Sequence, residues 1–333
     1  MAPQLAHFRE IPRLGRAANG TWGESFEFLV VADPQLGMRN MDTTRAPDEE
    51  EEQYLAQTVA FANAVKPRFV VVVGDLVDRH AVEGEEHFRT QADALYKHLD
   101  QVHNDVPVLF LPGNHDIGDV PTALSMAEYK SSFGDDYFQF WASGCRFLCL
   151  NSQLLVEEAL TTPELKQAAD DQHQWLTKIL SAQDPQPKHT VVFMHISPAL
   201  DAYDEDQAYF NLPPEPRRRL VEQLRAGGVS RIFAGHFHRE ARCDAGDGLE
   251  IITTSAIGLN LITKPKGDRR NLAGIGGAVM SETVSGCRLV RVSATGISDE
   301  YVTVAEMKRR VAGGGEKRPA DEAGPEAKVA KTE

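Results

Sequence analysis

Short uninterrupted apolar runs recur along the chain, and each stops on a cluster of polar residues. Phe26 to Ala32 ends at Asp33, Phe69 to Val73 ends at Gly74-Asp75, and Val108 to Leu111 ends at Pro112-Gly113-Asn114-His115. Runs of this kind predict strands buried on both faces. Helical periodicity fills the intervals. Glu49 to Val65 sets Tyr54, Leu55, Val59 and Ala62 on one face, and its four opening glutamates suit the positive end of a helix dipole. Glu85 to His103 carries a second stripe of Phe88, Ala92, Leu95 and Leu99. Further on, Pro163 to Leu180 predicts a helix, Thr190 to Phe193 a strand, Glu215 to Arg225 a helix closed by Gly227-Gly228, and Arg231 to Ala234 a strand. Strand patterns then dominate at Leu249 to Thr254, Arg288 to Val292 and Tyr301 to Val304. Alternating strands and helices followed by a strand-rich half predict one α/β unit with two packed sheets flanked by helices.

The expected organisation is an N-terminal extension over 1–24, a folded unit over 25–306 and a disordered tail over 307–333. The tail's bias toward Gly, Pro, Ala, Lys and Glu is strongest from Gly313 to Glu333. With 35 basic and 49 acidic side chains the formal charge is −14, which argues against stable binding to nucleic acid or to an anionic membrane. No apolar run approaches the roughly 20 residues of a membrane span, and Met1 to Gly23 shows no signal-peptide core. Cys145, Cys149, Cys243 and Cys287 form no CxxC pair, so a reducing, cytoplasmic setting is expected, with Cys145 and Cys149 as buried thiols of one strand. Lys317-Arg318 with Lys328 and Lys331 makes a weak nuclear-import pattern.

Candidate chemistry collects where ligands bind in α/β sheets, beyond the carboxyl ends of the strands. In order the clusters are Asp33-Pro34-Gln35, Gly74-Asp75-Leu76-Val77-Asp78, Gly113-Asn114-His115-Asp116, Met194-His195 and Gly235-His236-Phe237-His238. An isolated Asp or His in such a place commonly serves a turn or a core hydrogen bond. Gly-Asn-His-Asp is more specific, because three consecutive polar groups after an apolar strand need a reason, and so is Gly-His-x-His, because alternate strand residues point the same way and can converge on one spot. Carboxylate, amide and imidazole donors without thiolate suit Mn, Mg, Fe or Zn outside a thiolate site.

This ordered set resembles the calcineurin-like metallophosphoesterase superfamily over roughly residues 26–304. Gly134-Asp135-Asp136-Tyr137-Phe138, Leu150-Asn151-Ser152-Gln153, Asp171-Gln172-His173-Gln174-Trp175-Leu176, Tyr209-Phe210-Asn211-Leu212 and Ser255-Ala256-Ile257-Gly258 extend the likeness toward the calcineurin-like phosphoesterase domain-containing protein 1 subfamily. The resemblance implies a four-layer α-β-β-α sandwich and two divalent cations. Asp33, Gln35 and His238 would hold the first, Asn114, His195 and His236 the second, and Asp75 both. It also implies in-line attack by an activated water, with His115 protonating the leaving group and Asp116 orienting that imidazole. Asp78 would orient a ligand or a bound water, and Arg79 would either contact substrate phosphate or stand as an ordinary surface arginine. Gln35 stands where most of the superfamily has His, and Asp78 replaces the Tyr of purple acid phosphatases.

The activity implied is that of a protein serine/threonine phosphatase acting on a phosphoprotein, with protein kinase B as the type of substrate. The same ligands would serve a nucleotide phosphodiesterase, and a metal-binding scaffold of the same fold is the non-catalytic alternative. Leu261 to Gly277 adds a basic segment of Lys264, Lys266, Arg269 and Arg270 against Asp268, which suits either a solvated loop or a hold on an anionic substrate.

Overall fold

The computed structural model describes residues 14–41, 43–182, 186–263, 278–281 and 285–313. Among these the first sheet takes the order β13-β12-β1-β2-β3. Its strands are β1 (Phe26–Val31), β2 (Val70–Val73), β3 (Val108–Leu111), β12 (Gly286–Val292) and β13 (Ile297–Thr303). β1, β2 and β3 run parallel, while β12 is antiparallel to both β1 and β13. The second sheet takes the order β4-β5-β6-β7-β9-β8. It comprises β4 (Phe138–Ala142), β5 (Cys145–Cys149), β6 (Thr190–Phe193), β7 (Val229–Ala234), β8 (Ala241–Asp244) and β9 (Glu250–Thr253). Its four central strands are parallel and its two edge strands antiparallel. A separate hairpin joins β10 (Asn260–Thr263) to β11 (Ala278–Ser281).

Strand alternation explains the layering. Phe28 and Val30 of β1, with Val71 and Val73 of β2, face the second sheet. There they meet Phe140, Phe147, Phe193 and Phe233 in a core between the sheets. Phe28 and Phe69 stack with ring centroids 4.7 Å apart, and Phe69 meets Phe140 edge-on at 4.9 Å. The alternate residues Leu29, Val31, Val70 and Val72 face outward into a core with helices α2 (Glu49–Val65), α3 (Ala81–Leu99), α5 (Ala123–Phe133) and α8 (Val304–Ala312). On the far side Leu148, Val192 and Ile232 pack against α6 (Pro163–Ser181) and α7 (Pro214–Ala226). Helix, sheet, sheet and helix form the four layers expected, with two short helices, α1 (Arg16–Asn19) and α4 (Asn114–Ile117), outside them.

Several boundaries differ from the sequence expectation. The second helix starts at Ala81 rather than Glu85 and breaks its regular path at Gly84 (φ −179°, ψ 82°). The tail does not begin at 307. Thr303 caps α8 through Glu306 N, and Met307 is fully buried, its Sδ 3.9 Å from Thr58 Oγ1 of α2. The expectation of disorder from 307 to 312 gives way because Val304 and Met307 supply an apolar stripe that docks on the fold. Residues 314–333, the basic residues 264–270 and residues 1–13 lie outside the described residues. All four cysteines are free and buried. No helix among the described residues is long and apolar enough to cross a membrane.

Candidate metal centre

All five polar clusters lie just beyond the carboxyl ends of β1, β2, β3, β6 and β7, and the fold draws them to one place. Two groups of donors form, each with its ligand atoms within 4.8 Å of one another: Asp33, Asp75 and His238, and Asp75, His195 and His236. Asp75 belongs to both. The backbone pays for this convergence. Asp33, Gln35, Asp75, His236 and His238 all have positive φ, between 38° and 66°. Such conformations cost about 1–3 kcal/mol each and persist where the surroundings hold them. Two glycines make room: a Cβ on Gly74 (φ 87°) would lie 2.4 Å from His195 Nδ1, and one on Gly113 would lie 2.1 Å from Asp75 Oδ1.

Each imidazole is aimed by a main-chain carbonyl. His195 Nδ1 donates to Val73 O at 2.8 Å, His236 Nε2 to Tyr209 O at 3.1 Å, and His238 Nδ1 to Leu259 O. A carbonyl accepts only, so in each ring the remaining nitrogen is the one whose lone pair a cation would take, displacing any proton held there. His195 Nε2 lies 3.1 Å from Asn114 Oδ1 and 3.2 Å from Asp75 Oδ2, and His238 Nε2 lies 3.5 Å from Asp33 Oδ1. Asn114 Nδ2 donates to Tyr209 Oη at 3.1 Å, which leaves its oxygen for the centre. Gln35 is buried, its N donates to Asp75 O at 2.8 Å, and its Oε1 is buried with no hydrogen-bond partner. Buried carboxylates and imidazoles, with an orphaned amide oxygen on a residue whose main chain bonds Asp75, make a donor set that fits divalent cations.

The carbonyl that aims His238 is itself secured. Asn260 is fully buried, its Oδ1 accepts from Ala256 N at 2.8 Å, and its Nδ2 donates to Ala256 O and Ser285 Oγ, each at 2.9 Å. Ile257 N and Gly258 N donate to Ala32 O and Asp33 O, so the Ser255-Ala256-Ile257-Gly258 turn is laced to the first polar cluster.

Electrostatics show how tightly the charges are packed. Burial raises the Asp33 carboxyl to about 6, against the pull of His238 and His195. Burial pushes Asp75 the same way, but His195 and His115 hold it below the usual carboxylate range. For His195 burial is outweighed by Asp75, which lifts the ring to about 9. Burial, then the neighbouring His195, push His236 down to about 3.

His115 and Asp116 part company. His115 N donates to Asp75 Oδ1 at 2.9 Å, and its Nδ1 donates to Asp78 O at 2.9 Å, with Asp78 Oδ1 at 3.6 Å. Asp116 instead accepts from Leu76 N at 2.9 Å, Val77 N at 3.3 Å and Gly113 N at 2.8 Å, tying the loops after β2 and β3 together. His115 therefore gives to the Asp78 carbonyl the hydrogen bond expected to go to Asp116. Adjacent residues on a helical turn point in different directions. Arg79 pairs with Glu83 on α3, which suits the surface arginine of the two readings. Sequence reading assigned no role to Arg45, whose Nη1 meets Asp78 Oδ2 at 2.6 Å. Nor did it place buried Gln91, which accepts from Asp78 N and Arg79 N and donates to Arg45 O. Tyr209 was visible only as part of a motif. Its ring, 57% exposed, stands 4.9 Å from that of His236.

Comparison with known proteins agrees with this arrangement. The chain is 35% identical over 298 residues to serine/threonine-protein phosphatase CPPED1 of Rattus norvegicus, covering 87% of both chains. It is 38% identical over 258 residues to the Homo sapiens protein of that name, covering 74% of this chain and 80% of the relative. The crystal structure of a dimetal phosphatase from Danio rerio shares the fold with a TM-score of 0.54 at 17% identity, over 85% of this chain and all of that one. Residues 26–240, the segment that carries all five polar clusters, match the calcineurin-like phosphoesterase family, to which the chain belongs.

Proposed function

We propose that this protein is a metal-dependent protein serine/threonine phosphatase. The observation that carries the reading is one carboxylate, Asp75, shared by two buried donor groups with His115 hydrogen-bonded at its edge. Asp33, Gln35 and His238 would hold one divalent cation, Asn114, His195 and His236 the other, and Asp75 both. Bound there, the cations supply the positive charge that neutralises phosphoryl oxygens and activates the attacking water. The chain's own residues do the rest. The Asp78 carbonyl accepts from His115 Nδ1, and against burial the Asp75 carboxylate and that hydrogen bond favour the charged ring, so Nε2 of the imidazolium can deliver its proton to the departing serine oxygen and leave a neutral imidazole. Asp116 keeps the Asp75 and Asn114 loops in register, as a positioning residue rather than a proton donor. Tyr209 steadies Asn114 through its hydroxyl and His236 through its carbonyl.

The CPPED1 relatives are named as serine/threonine-protein phosphatases, which supports a phosphoprotein substrate. The test is a comparison of initial rates on a phosphoserine peptide and on bis(p-nitrophenyl) phosphate, with Mn, Mg, Zn or Fe(II) titrated into chelator-treated protein. Faster turnover of the peptide, dependent on added cation, is expected. A diester rate well above the peptide rate would assign a phosphodiesterase instead, and no turnover of either would assign a scaffold.

A further inference from the structure

Arg239 directly follows His238, and the fold does not account for its charge. Its neighbours in sequence and space are matched: Arg242 pairs with Glu250 and Asp299, and Arg288 with Glu240 and Asp299. Arg239 has no such partner among the described residues. Its Nε is buried without a hydrogen bond, and Asp201 acts on it only from beyond contact. Aromatic rings hold the guanidinium instead. Its Cζ lies 4.3 Å from the Phe237 ring centroid and 5.9 Å from that of Phe210.

These rings continue to the metal centre. Phe237 and Phe210 are 5.4 Å apart, Phe210 is 5.4 Å from His236, and Tyr209 is 5.2 Å from Phe210. An aromatic wall thus starts at the candidate ligands and ends on a half-buried cation. A guanidinium stacked on a ring keeps its planar fork in the plane of its edge, where it can take a carboxylate with two parallel hydrogen bonds. In a chain of net charge −14, an unmatched cation fixed in this way is a local attractor for one anionic group.

Resting on the phosphatase reading, we propose that Arg239 selects substrates carrying an Asp or Glu close to the phosphorylated serine, with Tyr209, Phe210 and Phe237 as the surface along which the peptide lies. By way of Phe210 the guanidinium lies no more than about 11 Å from the His236 ring, the reach of about three extended residues, so the acidic residue belongs within that spacing.

The experiment measures kcat/KM on phosphoserine peptides that carry Glu or Gln two or three residues from the phosphoserine, on either side. Wild-type protein is expected to favour one Glu peptide by about tenfold, through KM. Arg239→Gln should abolish that preference, Arg239→Lys should keep part of it, and Arg239→Glu should turn it toward a Lys peptide. Each ratio is taken on one preparation, so any loss of folded protein cancels. An unchanged ratio in Arg239→Gln overturns the proposal. So does an equal loss on both peptides, which would place Arg239 on the phosphoryl group or behind His238. If metal-loaded wild type turns over no phosphoserine peptide, the phosphatase reading fails. Fluorescence anisotropy of the same peptides on His115→Asn protein then still decides the Arg239 preference, for or against.

Discussion

The two halves of the metal centre share Asp75 but are built differently. Around His195 and His236 the polar groups interlock. Asn114 faces His195 with its oxygen and Tyr209 with its nitrogen, and Tyr209 in turn holds His236. Around His238 the packing is looser: Asp33 lies 3.5 Å from the ring, and the Gln35 oxygen is buried with nothing to accept. An unsatisfied buried acceptor costs about 1–3 kcal/mol. The half around His238 therefore has more to gain from a cation, while offering an amide where an imidazole would bind borderline metals better. The difference teaches that two donor groups joined by one carboxylate can be satisfied to different degrees by the protein around them.

Removing the shared member is the severest test. Asp75→Asn should abolish both equivalents of bound metal by calorimetric titration and lower turnover beyond the about 10⁴-fold range of a single acid–base group. Retention of either equivalent would break the picture of a common carboxylate. His115→Ala should cut turnover by about 10²–10⁴-fold with both equivalents still bound. A loss of metal in that variant would move His115 from proton delivery into the ligand set. Gln35→His should tighten only the weaker of two Mn or Zn binding steps, by about tenfold. Equal tightening of both steps would erase the asymmetry.

The smallest effect is a control outside both halves. Burial would raise the Glu300 carboxyl, but hydrogen bonds from Arg310 and Arg291 hold it below the ordinary 4.5. A folded-state value below the unfolded one means that the stabilisation is complete above about pH 4.5 and is lost as pH falls through the lower folded value. Glu300→Gln should lower stability to denaturant at pH 7 by about 0.5–1 kcal/mol, a difference that shrinks in acid, with both metal-binding steps unmoved.

The layers and the polar clusters were legible because both follow from short-range rules. Val70–Val73 can only be a strand buried on both faces, and a buried strand that stops on Gly74-Asp75 delivers its carboxylate to the sheet's edge. What stayed hidden depends on contacts remote in sequence. Ala123–Phe133 shows little segregation of apolar residues, so α5 gave no stripe to read, although Tyr129 and Phe133 are buried. Asp116 sits next to His115 in sequence but bonds across to Leu76 and Val77, forty residues away. Gln35 was readable as a departure from the family pattern, whereas its unsatisfied oxygen emerged only from the packing. Arg45 carried no local signal, since its meaning comes from Asp78 and Gln91.

The Asn260 clamp has a bearing on how such a protein diversifies. Asn260 opens β10, and Ser285, which it grips, lies just past β11, so the two feet of the hairpin are stapled together beneath whatever the hairpin carries. The same staple secures the turn behind His238. One buried amide thereby joins the foot of the hairpin to the aim of a candidate metal ligand, so substitution of Asn260 would disturb both together. For diversification this makes Asn260 a position whose loss must be compensated in two places at once.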